Sequence, residues 1–384
     1  MRVLHLNPTF YPSTRDGGPS ESLLLLVRGL REAGVDAEIV TTNGDGPKNS
    51  AVPLGRRVEH AGVPVTYFER FPRAGFAPSA SLVRHVAAVA RGFDLVHVHA
   101  LFSFPSTAGA ATCRALAVPY VLSPRGMCEP WALGHRAWKK APYFRAFERG
   151  NLLAARALHA TSGSEAANLR ALLRGPEVFV VPNAIELPAA ALDVERIPGR
   201  VVFLGRLHPV KGLDVLVRAM SLVTARRPDA ELIVAGPDHH GEGARIACIV
   251  ATLTPRPRVR VVGEVHGADK ACLLASASAL ALTSKSESFA RVVVEALAHG
   301  TPAVVSRACP WPELEARGAG RWVEGQPATI ANALVDVLDE ATRPSARSEA
   351  ARALAREYDV AAVGATMATR YRELIELNPR PAPR

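Results

Sequence analysis

Two glutamates separated by seven residues are the most informative polar side chains of this chain. Glu287 lies in a polar loop after the apolar run Ala279–Leu282, which predicts a buried parallel strand, and Glu295 lies on the amphipathic helix that follows. Such a unit places the start of the helix at the carboxyl edge of a parallel sheet, where anionic ligands bind. For the glutamates alone, a surface helix is the simpler alternative. Three backbone amides between them are predicted to face a phosphate group, those of Ser288, Phe289 and Ala290.

A second polar turn carries two cations. It follows the predicted strand Val201–Gly205 and holds Arg206 and Lys211 five residues apart. The arginine offers a planar fork to phosphate oxygens and the lysine a compact point charge, so both can stabilise a diphosphate. Taken alone, such a pair would more often be a solvated surface. The chain has no D-x-D motif, so we expect these cations and helix N-termini, rather than a metal or other cofactor, to hold the diphosphate.

Together these two segments resemble the E-x7-E and G-R-x4-K-G motifs of the retaining glycosyltransferases of family 4, and the resemblance extends over nearly the whole chain. It implies the α/β GT-B fold, in which two Rossmann-like domains face each other across a cleft and the C-terminal helix crosses back to the N-terminal domain. It also implies roles at the matching positions. Arg206 and Lys211 would clamp the donor diphosphate, Glu295 would grip the ribose, and Glu287 would contact the transferred sugar. The expected catalytic residues are therefore Glu287, Arg206 and Lys211.

The resemblance adds residues outside these two motifs. Four more match donor-facing loops of the family: Gly17, Gly18, Gly236 and Val265. A plain turn explains the first two glycines equally well. On the acceptor side, His99 is expected just past a buried strand, although a lone histidine there is more often structural. Arg125 stands where many relatives carry a cleft histidine, which suggests an anionic contact.

Apolar runs alternate with amphipathic stretches along the whole chain, which predicts two parallel sheets wound by helices. The predicted domains are an N-terminal acceptor domain (1–183), a linker (184–200), a C-terminal nucleotide-sugar domain (201–350) and a returning helix with a frayed tail (351–384). The strands predicted for the first domain are Val3–Asn7, Ala37–Thr42, Val65–Phe68, Asp94–His97, Tyr120–Ser123, Ala157–Ala160 and Val178–Val181. Those predicted for the second are Val201–Gly205, Glu231–Ala235, Val259–Val262, Ala279–Leu282 and Ala303–Val305.

Composition is typical of a globular protein, with 48% hydrophobic and 21% charged residues among 384. The five cysteines are scattered without C-x-x-C spacing, which predicts a reducing compartment rather than disulfides or zinc. No apolar run is long enough to span a bilayer. We therefore expect a cytoplasmic protein, with peripheral attachment to the inner face of the bacterial inner membrane as a further option.

The net charge of +10 is concentrated in the first half, where residues 1–183 hold 21 Lys and Arg against 13 Asp and Glu, a net of +8. No recognition helix, aromatic RNA platform or zinc finger accompanies this charge, so nucleic acid is not an expected partner. The stretch 131–149 interleaves aromatic and basic residues, as an interfacial amphipathic helix does. A helix packed on the core with a basic edge fits this stretch equally well.

The function predicted by the resemblance is that of a retaining, hexosyltransferase-type enzyme. It would move a sugar from a nucleotide-diphosphate sugar to a glycan or lipid-linked acceptor. The segments Ser123–Met127 and Pro310–Leu314 resemble a subgroup linked to bacterial surface polysaccharides, so lipopolysaccharide or exopolysaccharide biosynthesis is the expected context.

Other functions stay open at this point. A sugar-nucleotide 2-epimerase or a hydrolase can have the same fold, since fold does not fix function. A non-catalytic carbohydrate-binding protein is a further alternative. An NAD-dependent oxidoreductase is disfavoured because the chain lacks a complete G-x-G-x-x-G. The joint presence of both motifs favours the glycosyltransferase.

Overall fold

The computed structural model describes residues 1–13, 18–71, 76–190, 192–340 and 346–377. The chain forms two compact units. Unit 1 comprises Met1–Ala184 together with the segment that begins at Val360, and unit 2 comprises Ile185–Asp359. The chain therefore passes between the units twice.

Unit 1 contains an eight-stranded sheet and a small hairpin. The strands of the sheet are β1 (Arg2–Thr9), β2 (Asp36–Thr42), β5 (Arg57–His60), β6 (Val63–Phe68), β7 (Leu95–His99), β8 (Tyr120–Ser123), β9 (Ala157–Ala160) and β10 (Val178–Val180), and the hairpin consists of β3 (Gly44–Asp45) and β4 (Lys48–Asn49). The order in the sheet is β10-β9-β8-β7-β1-β2-β6-β5, and only β5 runs antiparallel to its neighbour. The order reverses between β1 and β7, which makes this pair a topological switch point.

The helices of unit 1 are α1 (Gly18–Glu32), α2 (Ala80–Val89), α3 (Phe104–Ala115), α4 (Pro130–Gly134), α5 (Ala137–Tyr143), α6 (Arg149–Ala154), α7 (Gly163–Leu172) and α15 (Val360–Glu376), with a 3₁₀ turn at Ala90–Gly92. The stretch 131–149, expected as one helix, is instead broken. Arg136 adopts a left-handed conformation with φ of +54° between α4 and α5, and a π-helical turn, Phe144–Glu148, separates α5 from α6.

Unit 2 contains a six-stranded parallel sheet. Its strands are β11 (Arg200–Leu204), β12 (Glu231–Ala235), β13 (Arg258–Gly263), β14 (Ala279–Leu282), β15 (Ala303–Ser306) and β16 (Gly320–Val323). Its helices are α8 (Leu213–Arg226), α9 (Glu242–Thr252), α10 (Gly267–Ala275), α11 (Arg291–Ala298), α12 (Glu313–Ala316), α13 (Pro327–Glu340) and α14 (Ala346–Arg356), with a 3₁₀ turn at Pro209–Lys211. The strand order is β13-β12-β11-β14-β15-β16, so the switch point lies between β11 and β14.

Every strand predicted from the sequence is confirmed within a residue or two at most of its ends. The central strands are recognisable because a parallel strand covered on both faces needs an almost unbroken apolar run, as in Ala279–Leu282, which is wholly buried. The strands β3, β4, β5 and β16 were not predicted, whereas the edge strands β10 and β13 were. β5, for example, alternates exposed and half-buried residues and carries charge, so its sequence has no such run.

Two predicted domain boundaries differ from the structure. The boundary at residues 350 and 351 falls inside α14, which packs against α11 in unit 2, so the return to unit 1 begins only at Val360. The predicted linker 184–200 belongs almost entirely to unit 2 and is not a detached connection. The backbone of Ile185 donates to the carbonyl of Tyr358 at 2.9 Å, and Ile197 donates to Ser276 at 2.9 Å.

The predicted return of the last helix to the N-terminal domain is confirmed, and two glycines permit it. α15 packs against α1 where Gly364 meets Gly29. A Cβ added at Gly364 would lie 2.2 Å from the backbone carbon of Gly29, and one added at Gly29 would lie 2.3 Å from the carbonyl oxygen of Val360. The two helix backbones can therefore approach this closely only without side chains.

We predict that Gly364→Ala destabilises unit 1, because the added methyl group overpacks the α1–α15 contact at a cost of about 1–3 kcal/mol. Helix propensity alone would stabilise the variant by up to about 1 kcal/mol, so the sign of the change separates the two effects. Urea unfolding monitored by circular dichroism measures it. Gly163→Ala is the matched control, since nothing lies within 4 Å of an added Cβ there. Equal stability of both variants would contradict the close contact.

Candidate active site

The turn that carries Lys211 and the loop that carries Glu287 meet at the switch point of unit 2. Lys211 Nζ lies 2.5 Å from Oε1 of Glu287, and both side chains are largely buried. Ser284 Oγ donates to the same carboxylate oxygen at 2.8 Å, and the backbone of Glu287 donates to the carbonyl of Ala308 at 3.2 Å. Charge-assisted bonds of this kind are short and directional, so the carboxylate is held in one orientation.

Gly212 allows this ion pair to form. It has φ of +64° and ends the turn that carries Lys211. A Cβ at this position would lie 2.2 Å from the carbonyl oxygen of Thr283, the residue just past β14. Only glycine can accept both the left-handed conformation and the contact. The turn after β11 is thereby held against the loop that carries Glu287.

The start of α11 is fixed by aromatic packing. Ala290 caps the helix with φ of +63°, a conformation that costs an alanine about 1 kcal/mol. The preceding Phe289 is buried against Trp311 and Tyr358, with ring centroids 5.1 and 5.8 Å away. The indole Nε1–H of Trp311 donates to the carbonyl oxygen of Phe289. This bond orients the peptide that leads into the helix, while Ser288 stays half-buried beside it.

Glu295 lies on α11 between two cations. Its Oε2 is 2.8 Å from Lys270 Nζ, and its Oε1 is 2.6 Å from Nη2 of Arg291. The two ion pairs hold the carboxylate rigidly. Each carboxylate oxygen has more than one acceptor direction, so ribose hydroxyls can still bind to it.

The other predicted donor residues of unit 2 lie at the same edge of the sheet. Arg206 follows β11 and is exposed. Gly236 follows β12, and its N–H donates to the carbonyl of Gly263 at 2.7 Å. Val265 follows β13 and packs partly buried on the core of unit 2. These loops therefore follow three neighbouring strands, as the sequence predicts.

In unit 1, four histidines form a buried cluster beside the switch point. His5 of β1 and His97 of β7 are register partners, and Nδ1 of His5 lies 3.0 Å from Nε2 of His99. Nδ1 of His97 lies 2.5 Å from the hydroxyl of Tyr371 on α15. The ring of His159 packs edge-on against His97 at 5.3 Å. All four imidazoles are essentially inaccessible to solvent.

Burial keeps this cluster neutral. Desolvation, with a contribution from the positive charge of Arg125, lowers the pKa of His5 and of His159 to about 3. Burial likewise lowers the pKa of His97 and His99 well below the usual value. At neutral pH each imidazole therefore carries one N–H donor and one acceptor nitrogen.

Arg125 follows β8 and adopts φ of +55°. Its Nη1 donates to Oδ1 of Asn183 at 2.5 Å, and its Nη2 lies 3.2 Å from Nδ1 of His99. The next backbone amide, Gly126 N–H, donates to Oε1 of Glu165 at 2.6 Å and so stabilises the loop. Desolvation lowers the pKa of Arg125 to about 10, and the guanidinium remains charged at neutral pH.

Besides Arg125, three predicted site residues belong to the N-terminal domain: Gly17, Gly18 and His99. His99 was expected just past a buried strand, and the structure places it as the last residue of β7, with its side chain buried. Its Nδ1 lies 3.2 Å from Nη2 of Arg125, and its acceptor-side role stays a prediction. Gly18 does not form a free loop and instead starts α1. Gly17 lies outside the described residues.

Sequence reasoning missed several residues that position these groups. Lys270 lies on α10, outside both motifs, so the local sequence does not link it to Glu295. His5 looks like a strand residue, and only the pairing of β1 with β7 places it beside His99. Glu165 is a buried carboxylate in the first turn of α7, a pattern indistinguishable in sequence from ordinary helix capping. Trp311 lies within Pro310–Leu314, a segment that the sequence resemblance had already singled out, although not its contact with Phe289.

The rings of His5, His97 and His99 bring ligand atoms within 4.8 Å of one another, a spacing compatible with a metal ion. The contact with Arg125 argues against it. A guanidinium only donates hydrogen bonds, so Nδ1 of His99 must accept and its Nε2 must carry the proton. A protonated nitrogen cannot coordinate a metal, so the three rings do not form a complete ligand set.

Comparison with known proteins agrees with this geometry. Residues 17–184 match the model of the glycosyl transferase 4-like domain, and residues 195–354 match that of glycosyl transferases group 1. The D-inositol 3-phosphate glycosyltransferase of Salinispora tropica is 30% identical over 339 residues, covering 79% of this chain and 70% of that protein. The phosphatidyl-myo-inositol mannosyltransferase of Mycobacterium tuberculosis is 32% identical over 198 residues, covering 48% of this chain and 51% of that protein.

Among solved structures, HepE of Anabaena in complex with UDP and glucose superposes with a TM-score of 0.72 at 20% identity, covering 97% of this chain and all of that one. The fold is GT-B. The chain belongs to the family of glycosyltransferases that combine a family 4-like domain with a group 1 domain. It is thus an enzyme that transfers a sugar from a nucleotide-sugar donor, and the epimerase, hydrolase, oxidoreductase and binding-protein alternatives fall away.

We predict that the histidine cluster makes unit 1 acid-sensitive. A histidine whose pKa is lowered on folding makes its full contribution to the stability of the folded state at pH values above about 6.5, the pKa of the unfolded chain. This contribution is lost as the pH falls toward the folded-state pKa of about 3. Each such histidine costs about 1.4 kcal/mol per pH unit in that window. Urea unfolding at pH 7.5 and 5.5 should show the loss, and His159→Gln should reduce it. The exposed His239→Gln variant is the control. A stability unchanged between these pH values would contradict the prediction.

Proposed function

We propose that this enzyme transfers a hexose with retention of configuration, without a metal, to an acceptor that carries an anionic group. The observation that carries the proposal is the Lys211–Glu287 pair at the switch point of unit 2, where a cation for the diphosphate and a carboxylate for the sugar are in contact. A sugar donor that enters there replaces the Lys211–Glu287 contact, so that the diphosphate binds Lys211 and the sugar binds Glu287. The ion pair has oriented both side chains before the donor arrives.

In the proposed mechanism, the diphosphate leaves as its bond to the sugar breaks. Lys211 and the exposed Arg206 stabilise the charge that develops on it, together with the partial positive charge at the start of α11. Glu287 binds hydroxyls of the sugar and Glu295 binds those of the ribose. The acceptor attacks from the face that the diphosphate leaves, and a phosphate oxygen takes the acceptor proton. Because these cations neutralise the diphosphate, we infer that no divalent metal is required.

Arg125 is the proposed anion-binding group on the acceptor side. It is partly exposed, and within the described residues no carboxylate oxygen lies within 4.0 Å of its guanidinium. The names of two relatives are consistent with a phosphate-bearing acceptor, because one acts on D-inositol 3-phosphate and the other on a phosphatidyl-inositol. A lipid-linked acceptor in surface polysaccharide biosynthesis would also carry phosphate. We therefore propose surface polysaccharide biosynthesis as the context of the reaction.

The donor assignment is tested by screening nucleotide sugars for release of free nucleotide, with and without phosphorylated and lipid-linked acceptors. Proton NMR of the product gives the anomeric configuration and thus decides between retention and inversion. Turnover that persists in a chelator supports the metal-free mechanism. An activity that is lost in the chelator and restored by magnesium or manganese would overturn that part.

We predict different effects for the two glutamates. Glu295→Gln should weaken binding of the nucleotide diphosphate, with UDP as the first probe, by about tenfold, because one charged hydrogen-bonding contact is lost. Glu287→Gln should leave UDP affinity within about twofold and lower the rate about 100-fold, because its contacts are with the reacting sugar.

Calorimetry and initial rates measure both effects, and Glu32→Gln is the control because that glutamate is exposed and belongs to unit 1. The division of roles is wrong if both variants lose UDP affinity equally.

A membrane-facing surface is the second part of the acceptor proposal. Within the described residues, no helix is long and apolar enough to cross a membrane. Three aromatic side chains of the broken helical stretch are nevertheless exposed, Trp131 by 41%, Trp138 by 76% and Phe147 by 53%. Exposed basic residues lie among them in the same stretch: Arg136, Lys139, Arg145 and Arg149. Aromatic rings flanked by cations are typical of proteins that rest on anionic lipid.

We predict that the protein sediments with anionic liposomes at low salt and is released as salt rises. Each basic residue near the surface contributes about 1 kcal/mol. Changing Arg136, Lys139 and Arg145 together to glutamine should therefore reduce binding by about 100-fold and leave donor hydrolysis intact. The control changes three exposed arginines of unit 2, Arg260, Arg307 and Arg317. If the wild-type protein ignores these liposomes, a water-soluble acceptor is the better assignment.

A further inference from the structure

We propose that His5 and His99 are positioning residues that form a directional hydrogen-bond relay behind Arg125. The relay holds the guanidinium as an anion-binding group for the acceptor, and in this respect it rests on the proposed function. His5 is fully buried and belongs to no motif of the chain. It can therefore act on the reaction only through the residues it contacts, and among these His99 is the one that contacts Arg125.

The direction of the relay follows from the chemistry of the guanidinium. Arg125 can only donate, so Nδ1 of His99, 3.2 Å from Nη2, must be the acceptor. A neutral His99 then carries its proton on Nε2, which lies 3.0 Å from Nδ1 of His5 and donates to it. His5 in turn carries its proton on Nε2, a buried nitrogen for which the described residues offer no hydrogen-bond partner. One cation thus selects the tautomer of two successive rings.

The surroundings make the selection strict. His5 and His99 are buried, and burial together with the charge of Arg125 lowers the pKa of both rings, so that neither becomes an imidazolium near neutral pH. Water cannot reach the pair to exchange its hydrogen bonds. The opposite tautomer of His99 would point two donors at each other at Nη2 and would require His5 to move its own proton to Nδ1. A buried mismatch of this kind costs about 1–3 kcal/mol per group.

The relay also fixes what Arg125 presents to a ligand. Two acceptors, Asn183 on Nη1 and His99 on Nη2, hold the guanidinium plane in position. A guanidinium has five N–H donors, so several remain for a ligand. The side chain is partly exposed, and in the part of the chain that the structure describes it has no carboxylate partner within 4.0 Å. A phosphate or carboxylate would therefore find donors whose orientation is already set.

The tautomers can be measured without any substrate. In the full-length protein labelled with ¹⁵N-histidine, long-range proton–nitrogen spectra at pH 7.5 should show His5 and His99 both protonated at Nε2. Arg125→Met, which keeps length but removes the donor, should leave His99 in mixed tautomers, whereas Arg125→Lys should keep the wild-type pattern. A wild-type His99 that is protonated at Nδ1, or doubly protonated, overturns the relay.

A binding measurement then tests its purpose. Inorganic phosphate is titrated into the labelled protein, and the shifts near Arg125 give the Kd. Asn at position 5 keeps an amide oxygen near the place of Nδ1, so His5→Asn should bind phosphate like the wild type. His5→Leu should raise the Kd about tenfold, the cost of about one hydrogen bond to a charged network. Equal Kd values for His5→Asn and His5→Leu, with both folded by circular dichroism, would overturn the positioning role.

The two measurements separate the relay from the proposed function. If the tautomers are as stated but wild-type protein does not bind phosphate, the assignment of His5 and His99 as positioning residues for an anion site is overturned together with the anionic acceptor. The donor chemistry of unit 2 is unaffected by that result. If phosphate binds and the tautomers differ from those stated, the relay alone is wrong.

Discussion

The adjacency of β11 and β14 is the constraint on which the donor site depends. The two strands are far apart in sequence, and their carboxyl ends lie side by side because the strand order reverses between them. Gly212 then permits the turn after β11 to touch the carbonyl of Thr283, at a distance that no side chain could tolerate. Lys211 and Glu287 are brought into contact as a result. Displacing either loop would separate the cation from the carboxylate.

Unit 1 repeats this geometry with different chemistry. Its strand order reverses between β1 and β7, and the side chains that meet there are the neutral imidazoles of His5, His97 and His99 rather than an ion pair. A single cation, Arg125, lies at the edge of this cluster with polar acceptors instead of a carboxylate. Glu165 acts on it only through space: its carboxylate raises the pKa of Arg125 but forms no ion pair with it among the described residues. The two switch points thus differ in their chemistry: an ion pair lies at that of unit 2, and neutral imidazoles beside Arg125 lie at that of unit 1.

Several left-handed backbone conformations at non-glycine residues lie in loops at these edges, and three of them have a nearby anchor. Phe102, with φ of +54°, donates its N–H to the buried carboxylate of Glu148 at 2.7 Å. The amide after Arg125 is held by Glu165, and the peptide before Ala290 is held by Trp311. Each strained residue costs about 1 kcal/mol, which one anchored hydrogen bond of this kind can offset. The loops that carry functional groups are in this way rigid without regular structure.

Local apolar runs and short spacings were enough to predict the central strands, the two-domain α/β class and the residues of the donor motifs. They could not determine the edge strand β5, the break at Arg136 or the domain boundary after α14, since local sequence there lacks a distinctive pattern. The contact of His5 with His99 and the position of His99 behind Arg125 become visible only in the folded protein. The physical reason is that the partners of a buried polar group are chosen by strand order, and strand order is set by the packing of the whole sheet.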